Sequence, residues 1–286
     1  MIYSENALAL GARISEIRIH HSKFKEALDG IGRVIQVGNY LPQPAGISVI
    51  APAGAGKTLL INSIQNNVCD WPFLSPNSVL VASLKEAPNV SQIQNDLLSS
   101  FNYAIAPRSS PKSNASSFNL LVDAIKHHDI RLIALDEYQH VFLARGGDMH
   151  ASITDWTKRL MSATGRPVLL SGTEMLGNVE KGDPQLSTRI PTVITLPAFK
   201  NDAKWRGVLK AFASGIPDMD LTSLCDNHAT ATFKATKGKM RLLKTLIVEA
   251  SMIAFDSSEK KVTADHLHQA FQRVFGVDSS LANPFK

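Results

Sequence analysis

Cysteine is scarce: Cys69 and Cys225 are the only two in 286 residues, and neither lies in a C-x-x-C pair or a histidine-rich stretch. That spacing gives no disulfide framework and argues against zinc, so both thiols are expected to be reduced and structural. The nine histidines, including the pairs His20-His21 and His127-His128, lack metal-ligand spacing combined with further ligands and read as surface or helix-end residues. Long apolar runs are missing as well. None approaches the roughly 18 residues needed to cross a bilayer. Met1 to Asn6 lacks the basic-then-apolar order of a secretory signal, so the expected location is cytoplasmic. Acidic excess is also absent. A net charge of +5 and a pI near 9.2 favour an anionic partner without specifying one. Lys234, Lys237, Lys239, Arg241 and Lys244 fall in one short stretch free of acids, for which a solvated helix face is the commoner explanation.

What is present is a globular composition, 44% hydrophobic, enough for one large core and a smaller appended domain. One stretch carries chemistry. Ala51-Pro-Ala53-Gly54-Ala55-Gly56-Lys57-Thr58 follows the apolar run Ile47–Ile50 and leads into Leu59-Leu-Ile-Asn-Ser-Ile64, so a glycine-bearing loop joins a strand to a helix. Backbone N–H groups of Ala53 to Leu59 would cradle phosphates at the helix N-terminus. Lys57 would reach the β and γ phosphates and the Thr58 hydroxyl would ligate Mg²⁺. Ala51 stands where the G-x-x-x-x-G-K-[ST] pattern has its first glycine, which Ala tolerates if φ stays negative.

A second strand-length apolar run, Arg131-Leu-Ile-Ala-Leu135, ends in Asp136-Glu137, as a buried parallel strand would to deliver two carboxylates to the sheet's carboxyl edge. Read as a Walker B element, it gives Asp136 the Mg²⁺ shell and Glu137 the polarisation of a water for in-line attack on the γ phosphate. A surface Asp-Glu pair is the bland alternative, and the upstream loop weighs against it. Together the two motifs point to a P-loop ATPase, with ATP and Mg²⁺ expected, far better than either does alone.

Around them, Ile14, Ile17, Phe24, Leu28, Ile31 and Ile35 predict an amphipathic helix within residues 12–37. Strands are expected at 79–82, 131–135, 167–170 and 193–196, and helices at 90–103, 118–126 and 150–163. The Ser- and Pro-rich stretch 106–117, carrying Arg108 and Lys112, reads as a flexible loop or as a phosphate contact on DNA. The alternation of strands and helices gives an α/β class, a parallel αβα sandwich. Helical patterns at 205–212, 223–233, 239–255 and 263–275 then form a small lid. The expected organisation is an N-terminal helical segment (1–44), a nucleotide-binding core (45–200), a helical lid (201–275) and a loose tail (276–286), with partner docking as a further reading of Asn283-Pro-Phe285.

A P-loop core followed by a helical lid resembles the AAA+ ATPases. The resemblance implies a polar sensor at the end of the strand after Walker B, here Ser171 or Thr173 in Leu-Leu-Ser-Gly-Thr-Glu. It implies an arginine finger, Arg189 in Leu186-Ser-Thr-Arg189-Ile-Pro, reaching a γ phosphate held by a neighbouring subunit. It also implies a second sensor, Arg241 in Gly-Lys-Met-Arg-Leu-Leu, so that Arg241 serves ATP rather than DNA. Within AAA+ proteins, roughly residues 10 to 275 resemble transposition regulators of the TniB/TnsC type, on the Asp-Glu-Tyr-Gln-His strand, the Leu-Leu-Ser-Gly-Thr-Glu strand, the Gln-Leu-Ser-Thr-Arg segment and the Gly-Lys-Met-Arg helix. The resemblance implies a homo-oligomeric ring or filament on double-stranded DNA that links a TniQ-like target selector to a transposase. Lys85, Lys112 and Ser113 would then face the DNA. No recognition helix or zinc finger is evident, so contacts are expected mainly at phosphates. A helicase-loader-like ATPase and a nucleotide-dependent scaffold with little hydrolysis are the rival readings.

Overall fold

A computed structural model describes residues 2–102, 111–143, 147–178, 183–276 and 282–285. The chain divides into two compact units, residues 23–196 and residues 1–22 with 197–286.

The larger unit is built on five parallel strands: β1 (Ile47–Ile50), β2 (Val79–Ser83), β3 (Leu132–Asp136), β4 (Val168–Gly172) and β5 (Thr192–Thr195), in the order β2-β3-β4-β1-β5. Every residue of β3 and β4 is buried, which explains their unbroken apolar sequences: helices cover both faces. β5 alternates instead, with Val193 exposed, as an edge strand does. The period of two divides the core. Ile133, Leu135 and Leu170 face one apolar layer with α4 (Val90–Ser99), α5 (Pro111–His127) and α7 (Gly147–Thr164). Leu132, Ala134, Ile47 and Val49 face the other, with α2 (Ser22–Gly38) and α3 (Lys57–Gln65). Short helices α6 (Gln139–Leu143) and α8 (Pro184–Arg189) complete this αβα sandwich.

The smaller unit packs α1 (Glu5–Glu16), α9 (Ala203–Gly215), α10 (Thr222–Cys225), α11 (Ala229–Thr236), α12 (Met240–Asp256) and α13 (Ala264–Phe275) around one core that includes Trp205, Phe212, Leu246 and Phe271. Trp205 Nε1 donates to the Ala229 carbonyl at 2.9 Å, so this buried ring leaves no polar atom unpaired.

Three expectations change. The amphipathic helix expected within 12–37 is α2, but the first residues of the pattern, Ile14 and Ile17, fall outside it: the extended backbone of Ile17 ends α1, because Leu10 and Ile14 belong to one core and Phe24, Leu28 and Ile31 to the other. The expected N-terminal segment 1–44 is therefore shared between the units. Residues 111–117 are helix rather than loop. Pro111 opens α5, where its missing N–H and fixed φ suit the first helical position, and Phe118, Leu121, Val122 and Ile125 give the helix a buried face. Arg108 lies outside the described residues. Finally, the chain end is not loose at Phe285, which is only 4% exposed and sits in the core of the smaller unit. Asn283 Nδ2 secures it by donating to the His268 carbonyl at 3.0 Å. A docking role for this segment conflicts with that burial.

Candidate nucleotide-binding site

Sheet order brings the two motifs together. β4 lies between β1 and β3, so the loop after β1, the carboxylates ending β3 and the polar residues ending β4 meet at one carboxyl edge. In the loop, Gly54 and Gly56 adopt φ of +80° and +105°. Ala51, buried and bonded through its N–H to the Gly172 carbonyl at 3.0 Å, is not among the positive-φ residues. That is why Ala can replace the first glycine of the pattern. No side chain caps the N-terminus of α3, and a Cβ at Gly56 would meet nothing within 4 Å. Open space before uncapped N–H groups and the positive end of a helix dipole suits a phosphate.

Lys57, 7% exposed, places Nζ 3.5 Å from the Ala51 carbonyl and 3.7 Å from Glu137 Oε1. A buried ammonium needs such anionic company. Asp136 is 5% exposed. Its Oδ2 accepts from Thr58 Oγ1 at 3.4 Å, and its Oδ1 accepts from the Glu137 N–H at 2.8 Å and from the Ser171 hydroxyl. Mg²⁺ characteristically takes one or two protein oxygens and completes its octahedron with water and phosphate. The Thr58–Asp136 pair fits that donor set. Among the described residues no cluster of three or more His, Cys, Asp or Glu offers an all-protein cation site.

Glu137 has φ of +57°, an uncommon conformation for a residue with a side chain. It turns the chain out of β3 while Tyr138 N–H bonds the Ser171 carbonyl at 2.8 Å. Gln139 is the residue that sequence reasoning missed. Its Nε2 donates to Glu137 Oε2, and its Oε1 accepts from the Thr173 N–H at 3.2 Å. The only signal was an amide two positions beyond the carboxylate pair.

The two sensor candidates separate. Ser171 is fully buried and committed to Asp136, whereas Thr173 is partly exposed, beyond the end of β4. Arg189 is not part of this cluster. Its carbonyl accepts from the Gly46 N–H at 2.8 Å, just before β1, and its Nη1 donates to Ser162 Oγ at 2.6 Å and the Lys158 carbonyl at 3.3 Å. It lines a cleft with Pro42, Pro44, Met161 and Thr188 at the sheet's amino edge, across the length of β1 from the loop. Asp183 caps α8, accepting from Leu186 N–H at 2.9 Å and pairing with Lys158. Desolvation opposes its ionisation, but the Leu186 N–H and the Lys158 ammonium outweigh it and hold the carboxyl below its usual range. Arg241 lies exposed in the first turn of α12, in the smaller unit. Lys85 is exposed after β2. Lys112 and Ser113 begin α5, and their side chains lie outside the described residues.

The chain is similar in structure to the Aeropyrum pernix ORC2 protein in ADPNP–ADP complexes, at 16% identity and a TM-score of 0.64, covering 91% of this chain and 68% of that one. It is similar to Aeropyrum pernix ORC1 in complex with DNA, at 16% identity and a TM-score of 0.64, covering 90% and 66%. Cdc6p from Pyrobaculum aerophilum matches at 15% identity and a TM-score of 0.63, covering 87% and 66%. The chain thus spans about two thirds of the length of these proteins, and at such identities the likeness is one of fold, that of AAA+ proteins. No curated protein matches in sequence. Residues 13–201, well over half of the chain, match the family described as bacterial TniB protein, and the chain belongs to that family.

Proposed function

We propose that this protein is a Mg²⁺-dependent ATPase that oligomerises on double-stranded DNA and couples a TniQ-like target selector to a transposase. The observation that carries the ATPase reading is the convergence of Lys57, Thr58, Asp136, Glu137 and Ser171 at one sheet edge, before an uncapped helix N-terminus. Lys57 and the N–H groups of residues 53–59 hold the β and γ phosphates. Thr58 and Asp136 would hold Mg²⁺, which when bound would offset the charge of the phosphate oxygens. Ser171 fixes the Asp136 carboxylate. Glu137 accepts a hydrogen bond from the attacking water and takes its proton, and Thr173, whose N–H is tied to Glu137 through Gln139, offers the sensor hydroxyl.

The position of Arg189 supports an intersubunit role. At the amino edge it is remote from its own loop, so it serves a γ phosphate only on a second copy. Such a guanidinium is worth about 10³ to 10⁵ in rate, which makes hydrolysis depend on assembly. By the resemblance, Arg241 is assigned to the nucleotide, and Lys85, Lys112 and Ser113 to DNA phosphates. Family membership favours transposition over helicase loading, since likeness to ORC and Cdc6 chains is one of fold. The cytoplasm is the proposed location, and no described helix is long and apolar enough to cross a membrane.

The test is ATP binding and turnover by two variants. Lys57→Ala is expected to lose ATP binding by at least about tenfold, the loss of one charge-assisted contact. Glu137→Gln is expected to bind ATP normally, hydrolyse at least about 100-fold more slowly and persist as oligomers. Wild-type turnover in Glu137→Gln would sink the assignment.

A further inference from the structure

Gln139 lies outside the phosphate and metal contacts, yet it is 6% exposed and both ends of its side-chain amide are occupied. The partners fix which end is which. A carboxylate oxygen of Glu137 only accepts, so it takes the NH₂, and the Thr173 N–H only donates, so it takes the carbonyl. No other residue type of this length satisfies both: Glu would set a second carboxylate against Glu137, and Met would leave both partners unanswered. The neighbouring strand makes room for this arm. A Cβ on Gly172 would come within 2.8 Å of Gln139 Oε1, so the glycine between Ser171 and Thr173 admits the amide. Glu137 needs such a restraint, because its left-handed backbone at φ +57° persists only where the surroundings over-determine it.

We propose that Gln139 is a positioning residue that aims the Glu137 carboxylate and ties it to the end of β4. Resting on the ATPase reading above, it makes residues 171–173 the common anchor of both acids: Ser171 holds Asp136 directly, and Thr173 holds Glu137 through Gln139. A shift of the β4 terminus, where a sensor feels the γ phosphate, is thereby passed to the group that polarises water. Among the described residues Gln139 makes no hydrogen bond or ion pair with Lys57 or Thr58 and reaches Lys57 only through Glu137. Its loss is therefore expected to fall mainly on the chemical step.

Two readouts test this. In kinetics, Gln139→Met, which keeps the volume and removes both hydrogen bonds, is expected to lower kcat by about tenfold or more while KM for ATP stays within about twofold, as misaimed catalytic groups do. In nucleotide-free, ¹⁵N-labelled protein, the side-chain NH₂ pair of Gln139, identified by its loss in Gln139→Met, is expected to exchange slowly with solvent. It should move to the free-amide position in Glu137→Ala, while the Thr173 backbone amide shifts in Gln139→Met. A wild-type kcat in Gln139→Met, or an NH₂ pair unmoved by Glu137→Ala, overturns the proposal. If wild-type protein binds ATP but never turns it over, the hydrolysis reading fails, and the amide spectra still decide whether Gln139 holds Glu137. Should Gln139→Met fail to fold, the comparison of wild type with Glu137→Ala decides the same point.

Discussion

Ser171 shows how one hydroxyl divides two readings. As a sensor it would face the γ phosphate; as the residue that holds Asp136 it acts on the metal. Burial favours the second, because the hydroxyl has no solvent-facing alternative and the carboxylate it serves is itself 5% exposed. A hydrogen bond to a charged group contributes about 1.5–3 kcal/mol. Ser171→Ala is therefore expected to raise the Mg²⁺ concentration needed for half-maximal turnover by roughly 10- to 100-fold, with little change in nucleotide affinity in the absence of Mg²⁺. A magnesium titration of turnover checks this, and an unchanged midpoint would return Ser171 to the sensor role. Thr173→Val should leave the midpoint in place and lower turnover.

At the scale of elements, what the sequence discloses depends on whether an element's burial is encoded in its own pattern. All five strands were legible from short apolar or β-branched runs, and β3 and β4 are buried on both faces. The positions of the glycine-bearing loop and of the two carboxylates were legible for the same reason: a fixed local spacing places each on the strand end that carries it. The break at Ile17 was not, since one continuous periodicity serves two cores. Nor was the burial of Phe285, which depends on Phe271 and His228 far back in the chain. Gln139 was hidden because its two partners come from separate strand ends. Gly238 is a further case: in the Lys-Gly-Lys-Met-Arg segment it looked like one residue of a nucleotide-sensing motif, yet its φ is +68° and a Cβ there would lie 2.1 Å from the Phe199 carbonyl oxygen. Its structural demand is the close passage of two backbones, which also bond through Phe199 N–H to the Gly238 carbonyl at 3.1 Å. Gly238→Ala is expected to destabilise the smaller unit by at least about 1–3 kcal/mol, from a left-handed backbone and a main-chain clash together. Thermal unfolding is the measurement. An unchanged Tm would contradict the packing described.

For the whole molecule, the decisive fact is that Arg189, the proposed finger, and the loop after β1 occupy opposite edges of one sheet. Arg189 is held by Ser162 and the Lys158 carbonyl beside Gly46, at the start of β1, and Lys57 lies beyond its end. On the proposed reading, each copy carries half of two sites. Arg189→Ala is expected to bind ATP normally and to lose turnover by about 10³-fold or more. Mixing it with Lys57→Ala, which keeps Arg189, should restore part of the activity, because some interfaces then pair an intact loop with an intact finger. Absence of recovery at any ratio would argue against a shared site. The nature of the assembly sets the central test. Electron microscopy of the wild type, with ATP turnover measured on the same samples, with and without double-stranded DNA, is predicted to show rings or filaments on DNA that need ATP and vanish in Lys57→Ala. A monomer indifferent to ATP and DNA would contradict the account.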